Sequence, residues 1–186
     1  RLVLLQGGIL LQGQTHPSKM FKCAYNAAYP QVRVMAPNRQ YAELLLEDFT
    51  GVVSEFTAIE QYLYHHFALE GINEEVAELL ECISLVEMHH MELLAEAIRL
   101  LGVEPRYRVI RNNHEIYWNA TYVYYGYSLC DRLTADVASE WAAIAAYRDH
   151  QQRIGDPYIK ELLERIILDE YHHIKLFNIV IQKYCK

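Results

Sequence analysis

LVEMHHMELL at residues 85–94 and LDEYHHIKLF at residues 168–177 write Glu-x-His-His twice in one chain. Glu87 and Glu170 stand 83 residues apart, and both copies sit in stretches whose apolar residues recur every three or four positions, the period of an amphipathic helix. At about 100° per residue, Glu87 and His90 fall within roughly 60° of each other and one turn apart, so both side chains can point at one ion. Glu170 and His173 share that relation. His89 and His172 fall on another face and are not expected to be ligands.

A gap of that length suggests a repeated unit, and the flanking sequence supplies its other half. Residues 40–69 read as a first helix, ended by the turn-like Glu-Gly-Ile-Asn at 70–73. Residues 74–101 form a second helix, opened by Asn73 as N-cap and by Glu74 and Glu75 at the positive end of the dipole, and stopped at Gly102. A third runs from about 130 to 154 and a fourth from 158 to 184, divided by Gly155-Asp156-Pro157. Helix one carries Glu55-Phe-Thr-Ala-Ile-Glu-Gln-Tyr62 and helix three Glu140-Trp-Ala-Ala-Ile-Ala-Ala-Tyr147, so Glu, aromatic, Ala, Ile and Tyr recur at matching offsets. Each half then offers one Glu followed by a Glu-x-x-His. The long stretch between helices two and three has no helical period and reads as a crossover, which lets the chain travel the length of a bundle and start again from the same end. The expected fold is all-α: two helical hairpins joined by a long crossover into a four-helix bundle over residues 39–186, preceded by an arm of unknown role, residues 1–38.

Such a bundle would gather Glu55, Glu87, His90, Glu140, Glu170 and His173 in its interior. Four buried carboxylates cannot all stay ionised unpaired, whereas two divalent cations would balance their charge. Oxygen-rich ligands with a little nitrogen and no thiolate suit iron or manganese.

Glu, Glu-x-x-His, Glu, Glu-x-x-His on four successive helices resembles the ferritin-like di-iron and di-manganese carboxylate proteins, among them bacterioferritins, rubrerythrins and manganese catalases. SEFTAIEQY at 54–62 looks like the first metal-binding helix of bacterioferritins, and EMHHMELLAEAIRLLG at 87–102 more like the second helix of manganese catalases and rubrerythrins. The resemblance implies two iron ions, with two manganese ions as the alternative. It implies Tyr62 and Tyr147 as hydrogen-bond donors to ligand carboxylates, close to the catalytic chemistry; seven residues from Glu to Tyr is nearly two turns, so each Tyr shares its Glu's face. Asp169 precedes Glu170, whereas Val86 occupies the equivalent place before Glu87. In bacterioferritin-like relatives that Asp reaches the His of the opposite hairpin, here His90, although Asp169 also lies one turn before His173 on its own helix. The chain departs from rubrerythrins in lacking the cysteines of a rubredoxin module, and in having Ala143 where many carry an extra Glu.

The function implied is an oxidoreductase acting on hydrogen peroxide or dioxygen, as a rubrerythrin-like peroxidase or manganese-catalase-like enzyme, with an electron donor the sequence does not identify. Alternatives are a ferroxidase or iron-storage protein, and a bundle whose metal site is structural or vestigial. The resemblance also implies a cytoplasmic setting.

Composition bounds the rest. The chain's 186 residues, 52% hydrophobic and 22% charged, suit one globular domain, and a formal charge of −7 disfavours nucleic acid as partner. RLVLLQGGILLQG at 1–13 is apolar but too short and interrupted to span a membrane. Cys23, Cys82, Cys130 and Cys185 are scattered without a CxxC pair and are expected to be reduced, small apolar residues. The Tyr-rich crossover, with Trp118, Tyr122, Tyr124 and Tyr125, reads as hydrophobic cover or the surface of a homodimer. Glu60, His65 and His150 are expected near helix exteriors or at the edges of the site, without chemistry.

Overall fold

The computed structural model describes residues 22–186. The reading of residues 1–13 therefore lies outside the described residues. The chain folds as α1 (Arg39–Thr50), α2 (Glu55–Leu69), α3 (Glu74–Leu100), β1 (Arg108–Arg111), β2 (His114–Tyr117), a 3₁₀ turn (Ala120–Tyr122), α4 (Leu129–Arg153) and α5 (Pro157–Tyr184). α2 packs along α3 and α4 along α5, giving the two hairpins of an all-α four-helix bundle.

The helix ends follow local chemistry. Asn73 accepts the Val76 N–H to open α3, Ser128 accepts the Asp131 N–H to open α4, and Asp156 caps α5 just ahead of Pro157 at its first position. α3 stops where Gly102 takes φ +89°, a left-handed conformation that suits glycine, and the Gly102 and Val103 N–H groups close on carbonyls of the last turn.

The expected first helix is broken in two. Ser54 accepts the Thr57 N–H as the N-cap of α2, while the Ser54 and Thr57 hydroxyls both donate to the Gly51 carbonyl, at 2.8 and 2.9 Å. A Cβ at Gly51 would lie 2.5 Å from the Glu47 carbonyl oxygen, so only glycine fits this backbone without a shift. Val52 and Val53 continue the apolar spacing of the sequence across residues 51–54, but both are exposed, and the local capping overrides the period. As a consequence Glu55 becomes the first residue of α2.

The crossover holds a short antiparallel hairpin, Arg108 opposite Tyr117 and Arg111 opposite His114. Asn112 and Asn113 turn it with φ of 52° and 62°, the paired left-handed conformation of a tight hairpin turn. Arg111 donates to both oxygens of Glu47 on α1. Trp118 packs against Phe56 and donates its indole N–H to Thr57 at 3.0 Å. The aromatic crossover therefore lies over the broken first helix.

Two apolar clusters fill the bundle. One joins Leu45, Leu46 and Phe49 of α1 to Leu94 and Ile98 of α3 and Leu163 and Ile166 of α5; the other joins Tyr62 and Leu69 of α2 to Leu80 and Ile83 of α3 and Phe177 of α5. Between them lies a layer of buried polar groups.

Contrary to the expectation of free thiols, all four cysteines are paired, Cys23 with Cys82 and Cys130 with Cys185. Their separations of 59 and 55 residues leave no local motif, but α4 and α5 run antiparallel, and Cys130 and Cys185 stand at similar distances from the turn between them. Cys23 ties the arm to α3. Arg165 then donates to the Tyr25 and Ala27 carbonyls, His172 meets the Lys22 carbonyl, and Met35 N–H reaches Asp156, so residues 22–38 are strapped along α5. No described helix is long and apolar enough to cross a membrane.

Candidate metal centre

Each bundle helix delivers its part of the polar layer. α2 presents Glu55 from its first turn, α3 presents Glu87 and His90, α4 Glu140, and α5 Glu170 and His173, all with at most 3% exposure. Their ligand atoms form two overlapping groups, Glu55–Glu87–His90–Glu170 and Glu87–Glu140–Glu170–His173, and within each group the atoms lie within 4.8 Å of one another. Glu87 and Glu170 belong to both. That is the arrangement in which two carboxylates can bridge a pair of ions while each ion keeps one carboxylate and one imidazole of its own.

The imidazoles face inward through Nδ1. His90 Nδ1 stands 2.8 Å from Glu87, 3.4 Å from Glu170 and 3.6 Å from Glu55; His173 Nδ1 stands 3.0 Å from Glu87, 3.1 Å from Glu170 and 3.4 Å from Glu140. The outward nitrogens differ. His90 Nε2 lies 2.9 Å from Asp169, whereas His173 Nε2 is buried and has no hydrogen-bond partner among the described residues. Asp169 thus meets the imidazole of the opposite hairpin, not the one on its own helix.

The tyrosines cross between hairpins as well. Tyr62 donates to Glu140 at 2.8 Å and Tyr147 donates to Glu55, so each supports the carboxylate of the other half of the repeat. His89 and His172 lie off the cluster, His89 against Tyr29 and His172 against the arm.

Electrostatics measure the cost of the layer. Burial pushes Glu55 up to about 8, with the Glu87 charge adding to it; burial and neighbouring carboxylates also raise Glu140 and, much further, Glu170. Burial works against Glu87 too, but the charge of His173, whose Nδ1 stands beside Oε1 outside hydrogen-bonding geometry, and the hydrogen bond and charge of His90 outweigh it and hold its carboxyl below the usual range. Both imidazoles stay above their ordinary value because the carboxylates overcome their own desolvation. Even so, Glu87 Oε1 and Glu170 Oε1 are buried and accept no hydrogen bond. Oxygens in that condition, on the two residues common to both groups, fit a pair of divalent cations, and the oxygen-rich donor set without thiolate suits iron or manganese.

Several contributors escaped the sequence reading. Asp169 also accepts the Tyr25 N–H and the Tyr29 hydroxyl, both at 2.6 Å, and pairs with Arg165 at 2.7 Å, whose guanidinium stacks on the Tyr29 ring. Burial raises the Asp169 carboxyl, yet His90, Arg165 and Tyr29 together hold it well below the usual range; burial pushes Tyr29 up to about 12. The arm carries no periodicity that could have announced this. His65 and His150, expected near helix exteriors or at the edges of the site, are both buried. His65 bridges Asp136 and the Tyr124 carbonyl, pinning the crossover to the bundle, and His150 Nδ1 lies 2.8 Å from Asp48. Each histidine has a carboxylate from another helix, a pairing that helical period does not reveal. Glu60 is half-buried.

A cavity of about 320 Å³ between α2 and α4 reaches the layer at Glu55, Glu87, Glu140 and Glu170. Ala143 lines it.

A sequence profile of the ferritin-like domain matches residues 51–185. The chain is 28% identical to a probable manganese catalase of Clostridium acetobutylicum across 82% of its own length and 75% of the relative's, and 31% identical to the bacterioferritin of Desulfovibrio desulfuricans across 67% and 66%. The solved manganese catalase of Anabaena superposes with a TM-score of 0.77 at 22% identity, covering 86% of this chain and 78% of that one. The bacterioferritin of Mycobacterium tuberculosis gives 0.65 at 26% identity, covering 80% and 88%. With its helices, its doubled Glu and Glu-x-x-His pattern and its domain profile in agreement, the chain belongs to the ferritin-like family of di-metal carboxylate proteins.

Proposed function

We propose that the chain is an oxidoreductase that destroys hydrogen peroxide at a pair of manganese or iron ions held by Glu55, Glu87, His90, Glu140, Glu170 and His173. The observation that carries this reading is the pair of ligand groups sharing Glu87 and Glu170, with one buried oxygen on each left without a donor. A pair of such ions supplies two-electron redox chemistry and polarisation of a bound O–O group. The chain's own residues do the rest. Glu87 and Glu170 hold the two positions at a fixed spacing, Tyr62 and Tyr147 fix the rotamers of Glu140 and Glu55 by hydrogen bonds, and Asp169 fixes the His90 tautomer with Nδ1 toward the ion. The two apolar clusters pack on either side of the layer, and the cavity between α2 and α4 is the approach to it.

Manganese comes first among the metals because the relative matched over 82% of this chain is a probable manganese catalase. Likeness to bacterioferritins supports a second reading, oxidation of ferrous iron by dioxygen. The two disulfides, which persist more readily in an oxidising compartment, favour such a compartment over the cytoplasm that the family resemblance implies.

Protein reconstituted anaerobically with manganese, or with iron, should hold close to two ions per chain by elemental analysis, and the manganese form should release dioxygen from hydrogen peroxide without added reductant. Inertness toward peroxide of both two-ion forms, with rapid oxidation of ferrous iron by dioxygen, would replace this reading with the iron-handling one.

A further inference from the structure

The cavity above the carboxylate layer is larger than hydrogen peroxide needs. Its volume of about 320 Å³ corresponds to roughly ten waters at about 30 Å³ each, whereas hydrogen peroxide is only a little larger than one water. It lies instead at the lower end of the range of small-molecule sites, about 300–1,000 Å³, which combine apolar walls with a few convergent polar groups.

Its walls explain the space. α4 lines it with Ala135, Ala138, Ala142 and Ala146, positions that share one helical face. In the internal repeat, Ala142 and Ala146 stand where α2 carries Thr57 and Gln61, so short side chains on the α4 side open much of the space, with Ala58 of α2 facing them. Val52 and Val53, on the break between α1 and α2, add branched apolar groups and are 52% and 41% exposed. The floor is polar: Glu87 and Glu170 line the cavity, and each has a buried oxygen without a hydrogen-bond donor. Methyl-lined walls above a polar, metal-fitting floor match a molecule with an apolar body and one polar reactive end.

We infer that this cavity binds organic hydroperoxides, with the hydrocarbon part against the α4 alanines and Val52–Val53 and the O–O group at the carboxylate layer; this rests on the proposed peroxide chemistry of the same site. The reaction balances with hydrogen peroxide as the reductant. The O–O bond of ROOH breaks and its two oxygens leave as ROH and water. The two electrons and two protons required come from one hydrogen peroxide, oxidised to dioxygen.

The test uses the manganese-loaded protein, cumene hydroperoxide as substrate and its unreactive alcohol, 2-phenyl-2-propanol, as binding probe. Expected are saturable calorimetric binding of the alcohol and conversion of cumene hydroperoxide to it in the presence of hydrogen peroxide. Ala142→Phe, holding its two ions, should weaken alcohol binding at least tenfold and lower the ratio of cumene hydroperoxide to hydrogen peroxide turnover at least tenfold. Ala138→Leu supplies a smaller filling group, with the same direction expected, should the Phe variant not fold. Hydrogen peroxide destroyed at full rate with no alcohol bound and no cumene hydroperoxide consumed would overturn the inference and leave the peroxide reading intact. Alcohol bound by a two-ion protein inert to every peroxide would overturn the substrate assignment together with that reading.

Discussion

Asp169 receives the Nε2–H of His90 from the opposite hairpin at 2.9 Å, and nothing among the described residues does the same for His173. The sequence repeat is symmetric in its six acidic and imidazole groups and asymmetric here, where Val86 stands in the place of Asp169. A ligand imidazole whose outer N–H is held by a carboxylate is better oriented and more basic, so the two metal positions should be unequal. A calorimetric titration of manganese into the metal-free protein should resolve two steps. Asp169→Asn should weaken one of them by roughly ten- to a hundredfold, the usual effect of losing such a partner, and leave the other near its original value. Identical titrations of the two proteins would show that Asp169 does not act through His90.

The arm enters the same chain of contacts through Tyr29. Its hydroxyl is one of four donors to Asp169, beside the Tyr25 N–H, Arg165 and His90. Loss of one such bond costs about 1 kcal/mol, so Tyr29→Phe should weaken the His90-side binding step roughly fivefold. Tyr158→Leu removes an arm contact of another kind, the ring under Arg33, and should leave both steps unchanged. Equal effects of the two variants would point to general loosening of the arm.

Every cysteine of the described chain is in a disulfide, so unreduced, denatured protein should show no reactive thiol. Removing Cys23–Cys82 or Cys130–Cys185 opens a link spanning 59 or 55 residues and should lower stability to denaturant by about 2–4 kcal/mol in either case. Only the loss of Cys23–Cys82 should also make residues 22–38 sensitive to limited proteolysis, because only that bond ties the arm to α3. A thiol count of four in unreduced protein would reject both pairings.

The buried Asp48–His150 pair sets a pH dependence apart from the metal layer. Burial lowers the His150 imidazole, but the hydrogen bond and charge of Asp48 outweigh it and hold it above its usual value; burial likewise raises Asp48 despite His150. Both shifts mean that the folded state holds protons more tightly than the unfolded chain. The His150 part of the contribution is therefore fully present below about pH 6.5 and is lost as pH rises through the folded-state value of His150, whereas the Asp48 part is fully present only below about pH 3.9 and is lost as pH rises through the raised Asp48 value. The difference in Tm between wild type and His150→Gln should be largest near pH 6 and shrink above pH 8. A difference that grows with pH would reverse the assignment.

The helices and the six residues of the candidate centre were legible because both are written in local period. Glu87 and His90, or Glu170 and His173, share a face whatever the helix packs against, and the recurrence of Glu55 as Glu140 marks the second half of the repeat. The break at 51–54 was not legible, since Gly51 and Ser54 act through close backbone contacts that leave the apolar period untouched. The hairpin at 108–117 had a signal in Asn112-Asn113, hidden in a Tyr-rich stretch without helical character.

By itself, then, the sequence determined which side chains each helix turns toward a common interior, because a residue's place on a helix depends only on its neighbours along the chain. Tertiary structure alone decided the pairings across elements: Tyr62 with Glu140, Tyr147 with Glu55, His90 with Asp169, Asp48 with His150, and the arm with α5. Those depend on crossing angles and on the side chains that separate or admit them, such as the alanines of α4 that leave a cavity at the carboxylate layer. Contacts between residues tens of positions apart have no period to betray them, so the path of the arm and the partners of four scattered cysteines emerged only when the bundle brought distant segments within reach.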